Sequence, residues 1–403
     1  MRVNRAFTLL CSFTLAFGAT FAVVVSASGD VSHPTRITAA LLGIIILHAI
    51  GYQRLWFSRE VFLSIGLLGY EVLSLSWTDY IKVATATMPA MVNFTLSLIL
   101  FSALAAYHNV RALLAGMFAG FIAAAILYTL TSGFPFSYPE DFSYNTIASM
   151  YLIGLFITLT FGAYIRSTVL PASVGAVLLV LIAATTSIKT NLGIGLGVIG
   201  AGLLYFKLST RGLLKTVAVV AVIGGGIAYG ISENPALTER LQTGLARVST
   251  GFAVLTNRES DAGNIGLGNR QGWKREGLKG WIANPVFGNG VEGFRADFGI
   301  TSHSTPIDLL YNSGLIGFAL FYAIFASIAW RLVTARNAKR RNIRARIAMV
   351  LIAYTFISLS GIVYYDQFLS IFVALSAGLM VRLERESVPV RSGAKVFGSA
   401  VNA

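Results

Sequence analysis

The sequence has few charged residues and only one cysteine. Of its 403 residues, 12% are charged and 55% are hydrophobic, whereas about 25% of the residues in a soluble domain are charged. Because Cys11 is the single cysteine, disulfides and cysteine-based metal sites within one chain are excluded. Long apolar runs recur along nearly the whole length, which excludes a large water-soluble core. The composition therefore predicts an all-α, polytopic integral membrane bundle.

The formal net charge of +14 raises the question of a nucleic-acid partner. The sequence contains no basic folded module of the kind that binds nucleic acid. Most lysines and arginines lie instead in short segments between apolar runs, as topology signals do. We therefore expect membrane lipids, and no nucleic acid, to be the partners of this charge.

A bilayer is crossed by about 20 apolar residues in helical form, and this template gives twelve candidate spans. They lie near residues 7–27, 36–52, 60–77, 86–106, 110–132, 146–165, 169–187, 191–208, 214–232, 306–330, 346–364 and 366–383. The first apolar run is longer than the ~7–15 residues of a signal peptide. We therefore expect it to be a retained helix.

These spans divide the chain into four predicted parts. They are transmembrane helices 1–9 in residues 1–232, a large loop in 233–305, transmembrane helices 10–12 in 306–383 and a tail in 384–403. Hydrophobic periodicity predicts that the loop is partly helical. One loop helix is expected over 235–249 and another over 271–283, with a flexible connector over 257–269 and the dipeptide Asn284-Pro285 ending the second helix.

The positive charges predict how the bundle is oriented. On one side of the predicted membrane, the short segments contain only Arg36, Lys82 and Lys189, and the other side contains most of the remaining lysines and arginines. Short cytoplasmic loops carry the excess of positive charge, and long loops escape this rule. We therefore predict that both termini are cytoplasmic and that the 233–305 loop lies outside.

Two patterns typical of cofactor and metal sites fail in context. Gly195, Gly197 and Gly200 satisfy G-x-G-x-x-G, but no strand precedes them and no acidic residue follows at the spacing of a dinucleotide site. No paired His, Asp or Glu spacing predicts a metal site. We expect neither a cofactor nor a metal.

His303 is the histidine whose position favours chemistry. It lies at the end of the predicted loop, beside Ser302 and Ser304, just before a span enters the membrane. An imidazole can accept a proton from a hydroxyl near neutral pH. The alternative is a polar interfacial residue that caps the next helix. Asp308, five residues later, is expected either to orient the imidazole or to cap that helix.

A cationic stripe is predicted along the second loop helix. Arg270, Lys274, Gly277 and Trp281 have the spacing of one helix face. Two cations on one face can bind a diphosphate, Gly277 leaves room for a ligand, and Trp281 suits an interface or a sugar. The alternative is a basic helix that rests on anionic lipid headgroups.

Further charged residues lie outside this stripe. Arg275 and Lys279 fall on another side of the loop helix, where lipid phosphates are the expected partners. Lys189 lies between two apolar runs on the predicted outer side, where it either binds a phosphate or extends to the interface. Glu71 is the most deeply placed carboxylate, and we expect it to face the bundle interior or a wet cavity.

The sharpest local motifs are NPVFGNGVEGF at 284–294, the His303 segment and NSGLIGF at 312–318. With about twelve spans and one large loop, the chain resembles the O-antigen ligase and polysaccharide polymerase superfamily of bacterial membrane glycosyltransferases. The family pattern is matched here by Gly288, Gly290, His303, Gly314, Gly317, Arg270 and Trp273. Two positions depart from it: Ser304 replaces an asparagine, and Lys189 stands where the family has an arginine.

The resemblance implies transfer of a glycan from an undecaprenyl-diphosphate donor at the periplasmic face of the bacterial inner membrane. By this resemblance, His303 activates the acceptor hydroxyl, and Arg270, Lys189 and Lys274 bind the diphosphate. Asp308, Trp281 and Arg275 support the site in a metal-independent, inverting reaction. The acceptor is lipid A–core in a ligase, or a lipid-linked glycan in an O-antigen or exopolysaccharide polymerase. The remaining alternatives are a transporter or flippase of lipid-linked sugars, and a non-catalytic scaffold.

Overall fold

The computed structural model describes residues 5–28, 38, 40–46, 48, 58–133, 144–165, 169–185, 187–205, 267–334, 341–364 and 366–387. This part of the chain is almost wholly helical and contains no strand, as the composition predicts. Its helices are α1 (Arg5–Ser28), α2 (Arg59–Ser74), α3 (Ile81–Tyr107), α4 (Val110–Ser132), α5 (Tyr144–Gly162), α6 (Val169–Ala184), α7 (Ile188–Tyr205), α8 (Leu267–Ala283), α9 (Gly293–Phe298), α10 (Thr305–Thr334), α11 (Arg341–Ser358) and α12 (Gln367–Ser387).

Six helices in the described ranges are long and apolar enough to cross a membrane. They are α1, α3, α4, α5, α10 and α12, and each coincides with a predicted span. Two further predicted spans correspond to α6 and α7, which are apolar but shorter. The predicted span 214–232 and the predicted loop helix 235–249 lie outside the described residues. The count of twelve spans and the large external loop therefore stay predictions.

Small residues let neighbouring helix backbones approach closely. A Cβ on Gly197 of α7 would lie 2.3 Å from the carbonyl oxygen of Met349 in α11. A Cβ on Gly116 of α4 would likewise lie 2.3 Å from the Phe13 carbonyl oxygen in α1. Any larger side chain at either glycine would separate the two helices.

Helix α10 differs from the continuous span that the sequence predicts, because it breaks at Gly314. The backbone there has φ 60° and ψ −160°, a combination that is essentially restricted to glycine. The turn at 285–290 supplies the partners of the backbone groups that the break releases. Four backbone hydrogen bonds join this turn to α10: Leu315 N to Pro285 O at 3.0 Å, Ile316 N to Val286 O at 3.4 Å, Asn289 N to Tyr311 O at 2.9 Å and Gly290 N to Asn312 O at 2.8 Å.

The positive φ angles of Gly288 and Gly290 belong to the same arrangement. Their φ values are 72° and 92°. A Cβ on Gly288 would lie 2.5 Å from Asn312 O, and one on Gly290 would lie 2.6 Å from the Thr78 side chain. The G-x-G motif therefore lets this turn fit between α10 and the end of α2.

Helix α2 packs on α10 through polar as well as apolar side chains. Ser313 donates a hydrogen bond of 2.5 Å to Glu71 Oε1, and Glu71 is buried. The predicted inward orientation of Glu71 is confirmed. Nearer the other end of α10, Arg331 Nε lies 3.4 Å from Glu60 Oε1, so two carboxylates of α2 are held by polar groups of one neighbouring helix.

Candidate functional site

The candidate site lies where the turn before α10 meets the loop between α11 and α12. His303 occupies that turn with φ 55° and is half-buried. A left-handed conformation at a residue other than glycine costs about 1–2 kcal/mol, and such strain concentrates at functional sites. The turn is closed by Ser302, whose Oγ donates to Ser304 O at 2.9 Å and accepts from Ser304 N at 3.2 Å.

The buried carboxylate of Asp308 is hydrogen-bonded to the turn that contains His303. Its Oδ1 accepts from the Ser302 backbone amide at 3.3 Å. Its Oδ2 accepts from Asn312 Nδ2 and from the Tyr364 hydroxyl, each at 3.1 Å. The sequence suggested two roles for Asp308, orienting the imidazole or capping the helix. These hydrogen bonds show a bracing role, because the buried carboxylate joins the His303 turn to α10 and to the α11–α12 loop.

Thr305 ties the same turn to Gly361 in the α11–α12 loop. The Gly361 carbonyl accepts from the Thr305 amide at 3.0 Å and from Thr305 Oγ1 at 2.6 Å. Thr305 Oγ1 in turn accepts from Val363 N at 2.9 Å. Sequence reasoning missed this loop as part of the site, because only the short sequence SGIVYYD separates the last two apolar runs.

The hydrogen-bonded contact between Thr305 and Gly361 is here called the Gly361–Thr305 clamp. Lys189 approaches this clamp from the start of α7. Its Nζ lies 3.9 Å from the position that a Cβ on Gly361 would occupy. The preceding Ser187 is buried, and its Oγ donates to Asn145 Oδ1 of α5 at 3.0 Å. The structure therefore brings Lys189 to the backbone segment that holds the His303 turn, although the two residues are far apart in sequence.

Helix α8 confirms the second predicted loop helix, including its end at Ala283, and begins four residues before the predicted start. A Cβ on Gly277 would meet Ile307 at 2.5 Å and Phe294 at 3.1 Å, and a Cβ on Gly280 would meet Tyr311 at 2.1 Å. The interpretation of Gly277 as room for a ligand is therefore wrong, since α10 and Phe294 fill that space.

The packing of α8 places its cationic half toward the His303 turn. Gly277 lies against Ile307, and about one turn later Gly280 lies against Tyr311. Helices α8 and α10 therefore run in the same direction where they are in contact. Helix α10 begins just after His303. The turn of α8 that precedes Gly277 and carries Lys274 therefore lies toward the His303 end of α10. Lys274 is half-buried.

The remaining α8 candidates have different surroundings. Arg270 belongs to the first turns of α8, and its side chain lies outside the described part of the structure. Arg275 is exposed. Trp281 donates from Nε1 to Pro285 O at 3.0 Å, so its indole closes the end of the helix.

Glu292 is a residue of this region that sequence reasoning missed. It is buried and has φ 60°, so it shares the left-handed backbone conformation of His303. Burial raises the pKa of its carboxyl to about 7, the neighbouring carboxylate of Asp308 adds to the rise, and Arg295 and a hydrogen bond with Thr87 oppose it. A carboxylate inside the glycine-rich GVEG sequence was the signal that was available.

Among the residues that the structure describes, no group of three or more His, Cys, Asp or Glu side chains has the arrangement of a metal site. The site consists of a strained histidine, a buried carboxylate network and lysines on two separate elements. Such an arrangement suits proton transfer and the binding of an anion. No model of a known protein family matches the chain, and no curated protein matches it.

Proposed function

We propose that this protein is a membrane glycosyltransferase that moves a glycan from an undecaprenyl-diphosphate carrier to an acceptor hydroxyl. The observation that carries the proposal is the approach of Lys189 to the Gly361–Thr305 clamp, beside the strained turn of His303. A cation and a candidate general base at one end of an apolar bundle match the needs of this reaction. The donor has an anionic leaving group and a membrane-embedded chain.

In the proposed reaction, His303 accepts the proton of the acceptor hydroxyl as its oxygen attacks the anomeric carbon of the donor sugar. The bond between that carbon and the diphosphate oxygen breaks, and undecaprenyl diphosphate leaves with the bonding electrons. Attack from the face opposite the leaving group inverts the anomeric centre. A positioned general base contributes about 10²–10⁴-fold to such a step.

The diphosphate gains negative charge as it leaves, and cations at its position lower the energy of the transition state. Lys189, Lys274 and Arg270 are the proposed ligands of this group. Lysine acts as a point charge, whereas arginine binds an anion through two parallel donors. The proposed location is the periplasmic face of a bacterial inner membrane, with both termini in the cytoplasm.

The test uses a strain that lacks the gene and is complemented with variants of the full-length protein. We expect His303→Ala to abolish long-chain surface glycan at unchanged protein level in the membrane. His33→Ala is the matched control, because His33 lies between the first two predicted spans and therefore on the predicted outer side, and it should complement fully. Surface glycan that persists with His303→Ala would refute the catalytic role.

The same strain distinguishes the two acceptors. Polymer that accumulates on the lipid carrier, with none attached to lipid A–core, identifies a ligase. Single repeat units that stay unextended identify a polymerase, which uses the same chemistry on a lipid-linked acceptor. Lipid-linked precursors that accumulate only on the cytoplasmic side would instead indicate a flippase and would overturn the proposal.

A further inference from the structure

The end of α8 and the turn after it expose a cluster of large apolar side chains, here called the apolar apex: Leu278, Ile282, Val286 and Phe287. Their exposed fractions are 38%, 69%, 45% and 59%. Single exposed apolar residues are ordinary, but a contiguous group marks an interaction surface. The apex therefore requires a partner that covers apolar side chains.

The helix places this surface opposite the packed face of α8. Gly277 and Gly280 contact α10 and Phe294. Leu278 and Ile282 are four residues apart, so they share one face, and that face points away from these contacts. The exposure of the apex is therefore a consequence of how α8 packs, and closer packing of α8 on α10 would not remove it.

The apex is continuous with the exposed face of α2. The Tyr70 hydroxyl donates to Phe287 O at 2.7 Å, and the rings of Trp77 and Phe287 lie 6.3 Å apart edge to face. Val72 and Leu73 of α2 are 51% and 61% exposed, as side chains that face lipid would be. Tyrosine and tryptophan at the end of an apolar helix are typical of a membrane interface.

Positive charge borders the apex. Arg275 and Lys279 are exposed on the same helix, about two turns and one turn before Ile282. Lys279 also forms an ion pair of 2.6 Å with Glu276, whereas Arg275 adds a full positive charge to this side of α8. An apolar surface with cations at its edge is the pattern of a helix that lies in the headgroup region of a bilayer.

We infer that the apolar apex inserts into the bilayer leaflet that surrounds the outer end of α2, and that it anchors α8 at the headgroup boundary. The partner is the lipid surface itself, with Ile282 and Phe287 at the acyl boundary and Arg275 among the phosphates. The anchor would fix the distance of the His303 turn from the membrane. This inference does not depend on the proposed glycan transfer.

The test is spin-label accessibility in the full-length protein, reconstituted in vesicles of phosphatidylethanolamine and phosphatidylglycerol. The single native cysteine permits a Cys11→Ser background, to which Ile282→Cys or Phe287→Cys is added. Val72→Cys, on the exposed apolar face of α2, is chosen as the lipid reference, and Arg295→Cys, at an exposed charged position of α9, is chosen as the water reference. Collisions with oxygen report lipid, and collisions with a nickel chelate report water.

We expect labels at Ile282 and Phe287 to behave as the Val72 label does, at a depth of about 5–10 Å below the headgroups. Labels that resemble the Arg295 reference would overturn the inference, because the apex would then lie in water. Dipolar broadening that disappears when labelled protein is diluted with unlabelled protein would also overturn it, since a second copy would then cover the apex. Neither outcome bears on the activity of His303→Ala.

Discussion

Replacement of Gly314 by alanine should separate the 285–290 turn from α10. A residue other than glycine at φ 60°, ψ −160° costs about 1–3 kcal/mol. The new Cβ would also lie 2.3 Å from Val286 O and 2.7 Å from Gly288 N. Movement of the turn breaks the hydrogen bonds from Leu315 and Ile316, which contribute about 1 kcal/mol each. The expected loss is therefore about 3–5 kcal/mol in the free energy of unfolding.

The loss can be measured by titrating the detergent-solubilised protein with sodium dodecyl sulfate and following tryptophan fluorescence. Gly195→Ala in α7 is the matched control, because a Cβ there would meet no atom within 4 Å and alanine favours a helix by about 1 kcal/mol. We expect Gly195→Ala to be neutral or stabilising. If Gly314→Ala unfolds at the same detergent fraction as the wild type, the break in α10 does not require glycine and the account of this turn is wrong.

Three further predictions concern the site. Thr305→Val removes the hydroxyl bonds of the Gly361 clamp and should lower glycan transfer about tenfold or more in a membrane assay, whereas Thr305→Ser should retain it. Lys189→Gln should lower the same activity by roughly 10–100-fold through the loss of a charged contact, and Lys189→Arg should stay closer to the wild type. The pKa of Glu292 is raised to about 7 in the folded protein. Its carboxyl therefore contributes stability that is fully present below the unfolded-state pKa of 4.5 and is lost as the pH rises through 7. Glu292→Gln should therefore flatten the fall in melting temperature between pH 5 and pH 8, and an unchanged slope would refute the assignment to Glu292.

Elements determined by their own local sequence were predictable, and elements shaped by contacts with distant parts of the chain were not. Uninterrupted apolar length predicts α3 and α4 because each helix satisfies its own backbone hydrogen bonds within the bilayer. The end of α8 was predictable because Asn284-Pro285 cannot continue a helix. The break at Gly314 was not, because it depends on partners from the 285–290 turn.

The candidate site divides in the same way. His303 and Lys189 were predicted from their positions at the predicted outer ends of spans, and the structure brings the segments around them together. Gly361 was not predicted because it contributes a backbone carbonyl, and every residue type has that group. Glu292 escaped because a carboxylate in a glycine-rich turn is ordinarily solvated, whereas this one is buried near Asp308 and Thr87.

The turn at 285–290 is synthesised before the part of α10 with which it pairs. Until α10 is in place, the amides of Asn289 and Gly290 must bond to water at the membrane surface. Unpaired backbone groups cost several kcal/mol each in lipid, so α10 should enter the bilayer as an unbroken helix and break at Gly314 when the turn docks. The site would then be completed in a late step, after the surrounding helices have inserted.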